Sequence, residues 1–112
     1  MPVDPAEAFA ALDVRVGTIA EARPFEGARK PSYQLTIDFG PTIGRKQSSA
    51  QLTVHYKPEE LIGKQIIAAV NLGPKKIADF VSEVLVLGLP DISGDTVLLT
   101  PDLPVPNGEK LY

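Results

Sequence analysis

Glycine and proline punctuate this chain from end to end, nine of the first and eleven of the second in 112 residues, and their spread most limits what it can fold into. Proline removes a backbone donor and glycine weakens the interior of any regular element, so long helices and long strands are disfavoured. Because the two residues are distributed rather than clustered, they read as punctuation between short strands and not as a flexible linker. An all-β layout is expected. The length corresponds to one domain, residues 1–112, large enough to bury a core and too small to divide. Hydrophobic and charged contents of 44% and 22% are those of an ordinary globular protein, which argues against disorder and against a membrane class.

The strands can be placed from their patterns. Val14 to Ala22 is mostly β-branched or small, and the glycine- and proline-bearing stretch from Arg23 to Pro31, which contains Arg29 and Lys30, ends it in a loop. SYQLTIDF then alternates, with Tyr33, Leu35, Ile37 and Phe39 on one face and Ser32, Gln34, Thr36 and Asp38 on the other, as a half-buried strand does. After a turn over Gly40–Gly44, the same period predicts a core face of Ala50, Leu52, Val54 and Tyr56. It predicts a presented face of Gln47, Ser49, Gln51, Thr53 and His55. Pro58 to Gly63 is one helical turn, with proline first, two carboxylates in the first turn and a glycine stop. KQIIAAVNL, SEVLVLG and DTVLLT are apolar runs of strand length, too continuous for an open sheet with one wet face, and they suit a closed barrel. DISGD is a turn whose aspartates lack the ligand spacing and closing glutamate of a calcium loop, so no metal site is expected there.

Both ends carry extensions. Asp4-Pro5-Ala6-Glu7 reads as a helix start, with Asp4 as N-cap and Glu7 placed to reach back to its amide, and a short helix to about Leu12 follows. PVPNGEKLY, after Leu103, reads as an extended tail with an Asn-Gly turn. Phe9 and Leu12 on the helix, with Val105 and Leu111 on the tail, have too little core of their own and are expected to bury against a second copy of the chain. The architecture that fits is a five-stranded OB-fold barrel with a short N-terminal helix and a C-terminal extended segment, a fold whose exposed strand face and loops bind oligonucleotides.

The chemistry points to binding. There is no cysteine, which removes disulfides, thiolate metal sites and a thiol nucleophile and fits a reducing compartment. MPVDPAEAF has neither a basic nor a long apolar region, and no apolar run approaches the roughly 18 residues of a membrane span, so a cytoplasmic protein without membrane insertion is expected. Ser48 and Ser49 lie in no nucleophile elbow, and Ser49 and His55, six residues apart on one strand, would be separated by roughly 20 Å. No phosphate loop or zinc spacing occurs, so no enzyme and no cofactor are expected. The net charge of −3 hides an asymmetry. Residues 44–76 carry Arg45, Lys46, Lys57, Lys64, Lys75 and Lys76 against Glu59 and Glu60, a net of +4, which leaves −7 for the remainder. Positive charge therefore gathers around the presented strand, where it can steer an anionic partner. Gln47, Ser49, Gln51 and Thr53 add neutral donors and acceptors suited to a peptide backbone, a base edge or a sugar.

DVRVGTI at 13–19, IDFG at 37–40, IGRKQSSAQLT at 43–53, YKPEELIGKQIIAAVNL at 56–72, KKIADFVSEVLVLG at 75–88 and PVPNG at 104–108 together resemble the CsaA family of secretion chaperones, in order and over nearly the whole chain. CsaA proteins look like relatives of the tRNA-binding OB domain appended to methionyl-tRNA synthetases. The resemblance implies a homodimer that binds unfolded or export-bound polypeptides, preproteins among them, with the export machinery and tRNA as further candidate partners. It also implies a site that includes Lys46, Gln47, Ser49, Gln51, Asn71, Lys75, Lys76, Ser82, Glu83 and Leu85. Asn71, Lys75, Lys76 and Ser82 match the tRNA-binding branch. Where that branch reads Ser-Gln-Gly-Met, this chain reads Ser82-Glu83-Val84-Leu85, with a carboxylate that would repel phosphate and a leucine that could hold an apolar side chain.

Overall fold

The computed structural model describes residues 3–112; Met1 and Pro2, at the head of the stretch read for a targeting signal, lie outside them. Helix α1 (Pro5–Ala11) is followed by β1 (Val14–Pro24) and β2 (Tyr33–Asp38). A helical turn α2 (Gly40–Ile43) leads to β3 (Arg45–Ala50), and a second turn α3 (Pro58–Leu61) leads to β4 (Gln65–Ala69). Five shorter strands follow: β5 (Lys75–Ile77), β6 (Phe80–Ser82), β7 (Leu85–Val86), β8 (Gly88–Pro90) and β9 (Thr96–Leu98). The main sheet runs β3-β2-β1-β4-β7, every pairing is antiparallel, and β5–β6 and β8–β9 form separate hairpins. The expected small barrel is present, nearly closed. No helix among the described residues is long and apolar enough to cross a membrane.

Strand β1 serves both halves of the barrel. Val14–Thr18 pair with β4 and Thr18–Pro24 with β2, and a register shift between Ile19 and Glu21 bends the strand from one partner toward the other. Gly17 lets Ile37 and Phe39 pack close against β1: a Cβ there would lie 2.6 Å from Ile37 Cγ2 and 2.8 Å from Phe39 Cδ1. Inside, Ile19, Leu35, Ile37, Phe39, Leu52, Leu61, Ile66 and Ala68 are buried. The alternation read in SYQLTIDF holds from Tyr33 to Phe39, although Ser32, assigned to the outward face, is buried as well.

Three expectations give way. The strand predicted to run to Tyr56 ends at Ala50, because Leu52 N–H turns back to Ala50 O (3.1 Å) and Tyr56 N–H to Leu52 O (3.2 Å). The period of two is lost there, and Val54, placed in the core by the pattern, is 65% exposed. SEVLVLG is divided among β6, β7 and β8 instead of forming one strand. Its residues serve three neighbours in turn, β5, β4 and β9. Lastly, β5 and β6 make a hairpin that no sequence pattern announced, turned by Ala78 and Asp79 with Ala78 at φ +54°.

The ends are held by backbone and side-chain contacts. Asp4 accepts from Ala6 N–H (3.2 Å) as the N-cap of α1, which contains no buried residue. The tail docks along β1 through Gly108 N–H to Val16 O, Val16 N–H to Glu109 O and Leu111 N–H to Val14 O. Asn107 Oδ1 accepts from the Thr18 hydroxyl (2.8 Å) and from Gln65 Nε2 (3.1 Å), so the Asn-Gly turn is pinned to β1 and β4.

Two substitutions test this backbone. A left-handed alanine costs roughly 1–2 kcal/mol, part of which glycine regains in its freer unfolded state, so Ala78→Gly should raise stability by about 0.5–1 kcal/mol in urea unfolding. Gly108 has φ +92° and a Cβ there would lie 2.5 Å from Phe39 O, so Gly108→Ala should lower stability by about 2 kcal/mol or more and loosen the tail.

Candidate functional site

The barrel closes between β3 and the segment from Ser82 to Val84, and that closure builds the candidate site. Residues 46, 48 and 50 stand in register with Ile37, Leu35 and Tyr33 of β2, while the amides of Gln47 and Ser49 are met from the other side. Gln47 N–H donates to Glu83 Oε1 (3.0 Å), Ser49 N–H donates to Ser82 Oγ (3.0 Å), and Gln47 O accepts from Glu83 N–H (2.8 Å). Beneath them Ser48 is fully buried and its hydroxyl donates to Val84 O (2.9 Å). Side chains thus complete what a strand ladder would otherwise supply. The buried hydroxyl of Ser48 is a structural clamp and no nucleophile.

Beside this seam lies an open cleft of about 350 Å³ lined by Lys46, Val70, Asn71, Gly73, Pro74, Glu83 and Val84. Three of the sequence-predicted residues, Lys46, Asn71 and Glu83, therefore share one concavity. Lys75 stands opposite Ser82 and Lys76 opposite Val81 on the β5–β6 hairpin. Gln47 is exposed, Ser49 is half-buried, and Leu85 on β7 is 51% exposed. Gln51 lies just beyond the end of β3, off the strand face on which it was expected. Asn71 has a second duty: its Oδ1 accepts from Asp13 N–H (2.8 Å) and its Nδ2 donates to Ala11 O (2.8 Å), which fixes the junction of α1 and β1.

Sequence reading missed how the basic loops come together. Phe25 and Phe80 meet edge to face at 5.4 Å between ring centres, and Gly27 comes within reach of Ala78, where an added Cβ would lie 3.6 Å from the alanine methyl. The 25–32 loop, with Arg29 and Lys30, therefore packs against the hairpin that carries Lys75 and Lys76. None of these cations, nor Lys46, joins an ion pair among the described residues. The aromatic pair lies 55 residues apart in sequence and carries no periodic signal, so only the folded chain reveals it. The cleft itself is lined by one cation, one carboxylate, the Asn71 amide and apolar side chains, and the basic β5–β6 hairpin begins next to its Pro74 wall. The serines beside it, Ser48 and Ser82, are spent on the barrel.

Residues 14–110 match the family described as "Putative tRNA binding domain". A methionine–tRNA ligase from Methanothrix thermoacetophila is 44% identical over 107 residues, covering 96% of this chain and 15% of that enzyme, so the chain spans about a seventh of the curated relative it matches. Among solved structures, the chaperone CsaA from Bacillus anthracis is 52% identical with a TM-score of 0.90, over 99% of this chain and 100% of that one. CsaA from Picrophilus torridus is 50% identical with a TM-score of 0.91, over 98% and 100%. The match to the family model and the shared barrel establish that the chain belongs to the tRNA-binding OB-domain family, alongside the CsaA chaperones.

Proposed function

We propose that this protein is a CsaA-like chaperone, a non-catalytic cytoplasmic homodimer that holds unfolded or export-bound polypeptides. The observation that carries this reading is the closeness of the likeness: the CsaA structures are 52% and 50% identical with TM-scores of 0.90 and 0.91, whereas the methionine–tRNA ligase is 44% identical. The chemistry of the cleft supports it. Glu83 places a carboxylate in the cleft with Lys46, which opposes a phosphate there, and Leu85, one residue beyond the cleft's Val84, offers an exposed apolar contact. Because the amides of Gln47 and Ser49 are already met by Glu83 and Ser82, a polypeptide would be held by side chains and the cleft and not as an added strand at that edge. Affinity for an unfolded polypeptide should change less than about threefold across a salt series, since little of the energy is ionic. Leu85→Asp should weaken it about tenfold, near 1.4 kcal/mol, in a fluorescence anisotropy titration. A polypeptide affinity that Leu85→Asp leaves intact would remove Leu85 from the reading.

A second reading, binding of tRNA or another structured RNA, is favoured by the unpaired Arg29, Lys30, Lys75 and Lys76 on two packed loops and by the family match. Its signature is a log–log salt slope of about −0.7 to −0.9 per phosphate contact. The double change Lys75→Glu and Lys76→Glu should abolish a tRNA gel shift while leaving polypeptide binding in place. Competition between tRNA and polypeptide would show that one groove serves both.

For the dimer, the supporting observations are the unburied helix α1, with Phe9 at 49% exposure and Leu12 half-buried, and an apolar hollow of about 410 Å³ lined by Val16, Ile67, Val105, Pro106 and Leu111 among others. Light scattering should give twice the chain mass, and Phe9→Asp with Leu111→Asp should halve it.

A further inference from the structure

His55 and the DISGD turn, which sequence reading kept apart, meet in the folded chain. His55 lies in the connector between β3 and α3, and its Nε2 is 2.6 Å from Asp91 Oδ2 in the turn between β8 and β9. Asp91 is aimed by its own turn: Oδ1 accepts from Ser93 N–H (2.8 Å) and from Asp95 N–H (2.9 Å), which leaves Oδ2 directed at the imidazole. Those contacts, the Asp95 amide first and His55 after it, hold the Asp91 carboxyl below its usual range. Asp95 completes the group, with one donor atom from each of the three residues lying within 4.8 Å of the others.

The two segments are already fixed to each other. Tyr56, the next residue after His55, accepts from Leu98 N–H through its hydroxyl (3.0 Å), and the turn is closed by Asp91 N–H to Asp95 O (2.8 Å) and Gly94 N–H to Asp91 O (2.9 Å). The three donors thus sit on a frame that does not have to be assembled by a ligand, and the His55 and Asp91 side chains remain 39% and 25% accessible. None of them lines the Lys46 cleft.

We propose that His55, Asp91 and Asp95 form a binding site for a borderline divalent transition-metal ion such as zinc or nickel. One imidazole nitrogen with two carboxylates suits zinc, nickel or copper better than magnesium or calcium, which take mainly oxygen ligands. The remaining positions fall to water. Zinc bonds of about 2.0–2.2 Å require the imidazole nitrogen and the Asp91 oxygen to part to roughly 3.3 Å. The ion would therefore take the place of the hydrogen bond that now joins them. A bound ion would tie the β3–α3 connector to the β8–β9 turn.

The test is a titration of the full chain with zinc, followed by calorimetry and by amide chemical shifts, with magnesium as control. One equivalent of zinc should bind in the micromolar range, with shifts centred on residues 53–56 and 91–96, and magnesium should not compete at tenfold higher concentration. His55→Ala and Asp95→Asn should each weaken zinc by at least about tenfold, the scale on which loss of even a supporting group acts at metal sites. Asp95→Asn keeps the backbone bonds of the turn, and unchanged thermal midpoints of both variants in chelator would show that the fold is intact. If zinc shifts other residues, fails to saturate in the millimolar range, or binds both variants as tightly as the parent chain, the site does not exist. The shift map on the unmodified chain decides the matter even where a variant fails to fold.

Discussion

The closure of the barrel between β3 and Ser82–Val84 is the contact on which the rest of the molecule depends. An edge strand left with outward amides invites pairing with another chain, and here the edge is answered by a hydroxyl, a carboxylate and two neighbouring amides. Ser48 makes the same seam from the inside, where a buried hydroxyl must find a partner and finds Val84 O. The seam also sets the walls of the cleft, since Glu83 and Val84 face it on one side and Lys46 on another. Of the side chains that differ from the tRNA-binding pattern, Glu83 also holds the barrel shut, together with Ser82, which matches that pattern.

Much of this was legible in the sequence where a pattern had a single physical cause. The alternation of β2 reports one wet and one dry face, and both faces stand as read from Tyr33 to Phe39. The proline start and glycine stop of α3 mark a real turn, with Glu60 Oε1 accepting from Lys57 N–H at 2.9 Å. The pattern misled where local backbone bonds won over periodicity, at Val54, and where one apolar run had to serve three partners, from Ser82 to Gly88. Asn71 was picked out for its place in a motif and turned out to hold α1 to β1. The approach of Phe25 to Phe80 and of His55 to Asp91 depends on tertiary distance alone, and no window of residues records it.

The polypeptide and RNA readings are less separate than their chemistries imply. Lys46 and Glu83 line the cleft with Asn71 and apolar side chains, while Lys75 and Lys76 stand on the hairpin that follows its Pro74 wall and Arg29 and Lys30 on the loop packed against that hairpin. An RNA would draw most of its affinity from the loop cations and a polypeptide from the neutral and apolar groups. Phe25 and Phe80 hold the loop and the hairpin that carry these cations against each other.

The tail along β1 carries a consequence for how the chain is made. Arg15 donates to Gly108 O across 93 residues of sequence, and Val14 O and Val16 meet their partners only at Glu109, Gly108 and Leu111. The first strand of this barrel to be synthesised is thus the last of it to have its edge covered, and contacts of such separation form slowly. Until residue 111 has been synthesised, a nascent copy presents an open β edge of the kind that other chains seek, and it passes through the same exposed state as the polypeptides such a protein would protect.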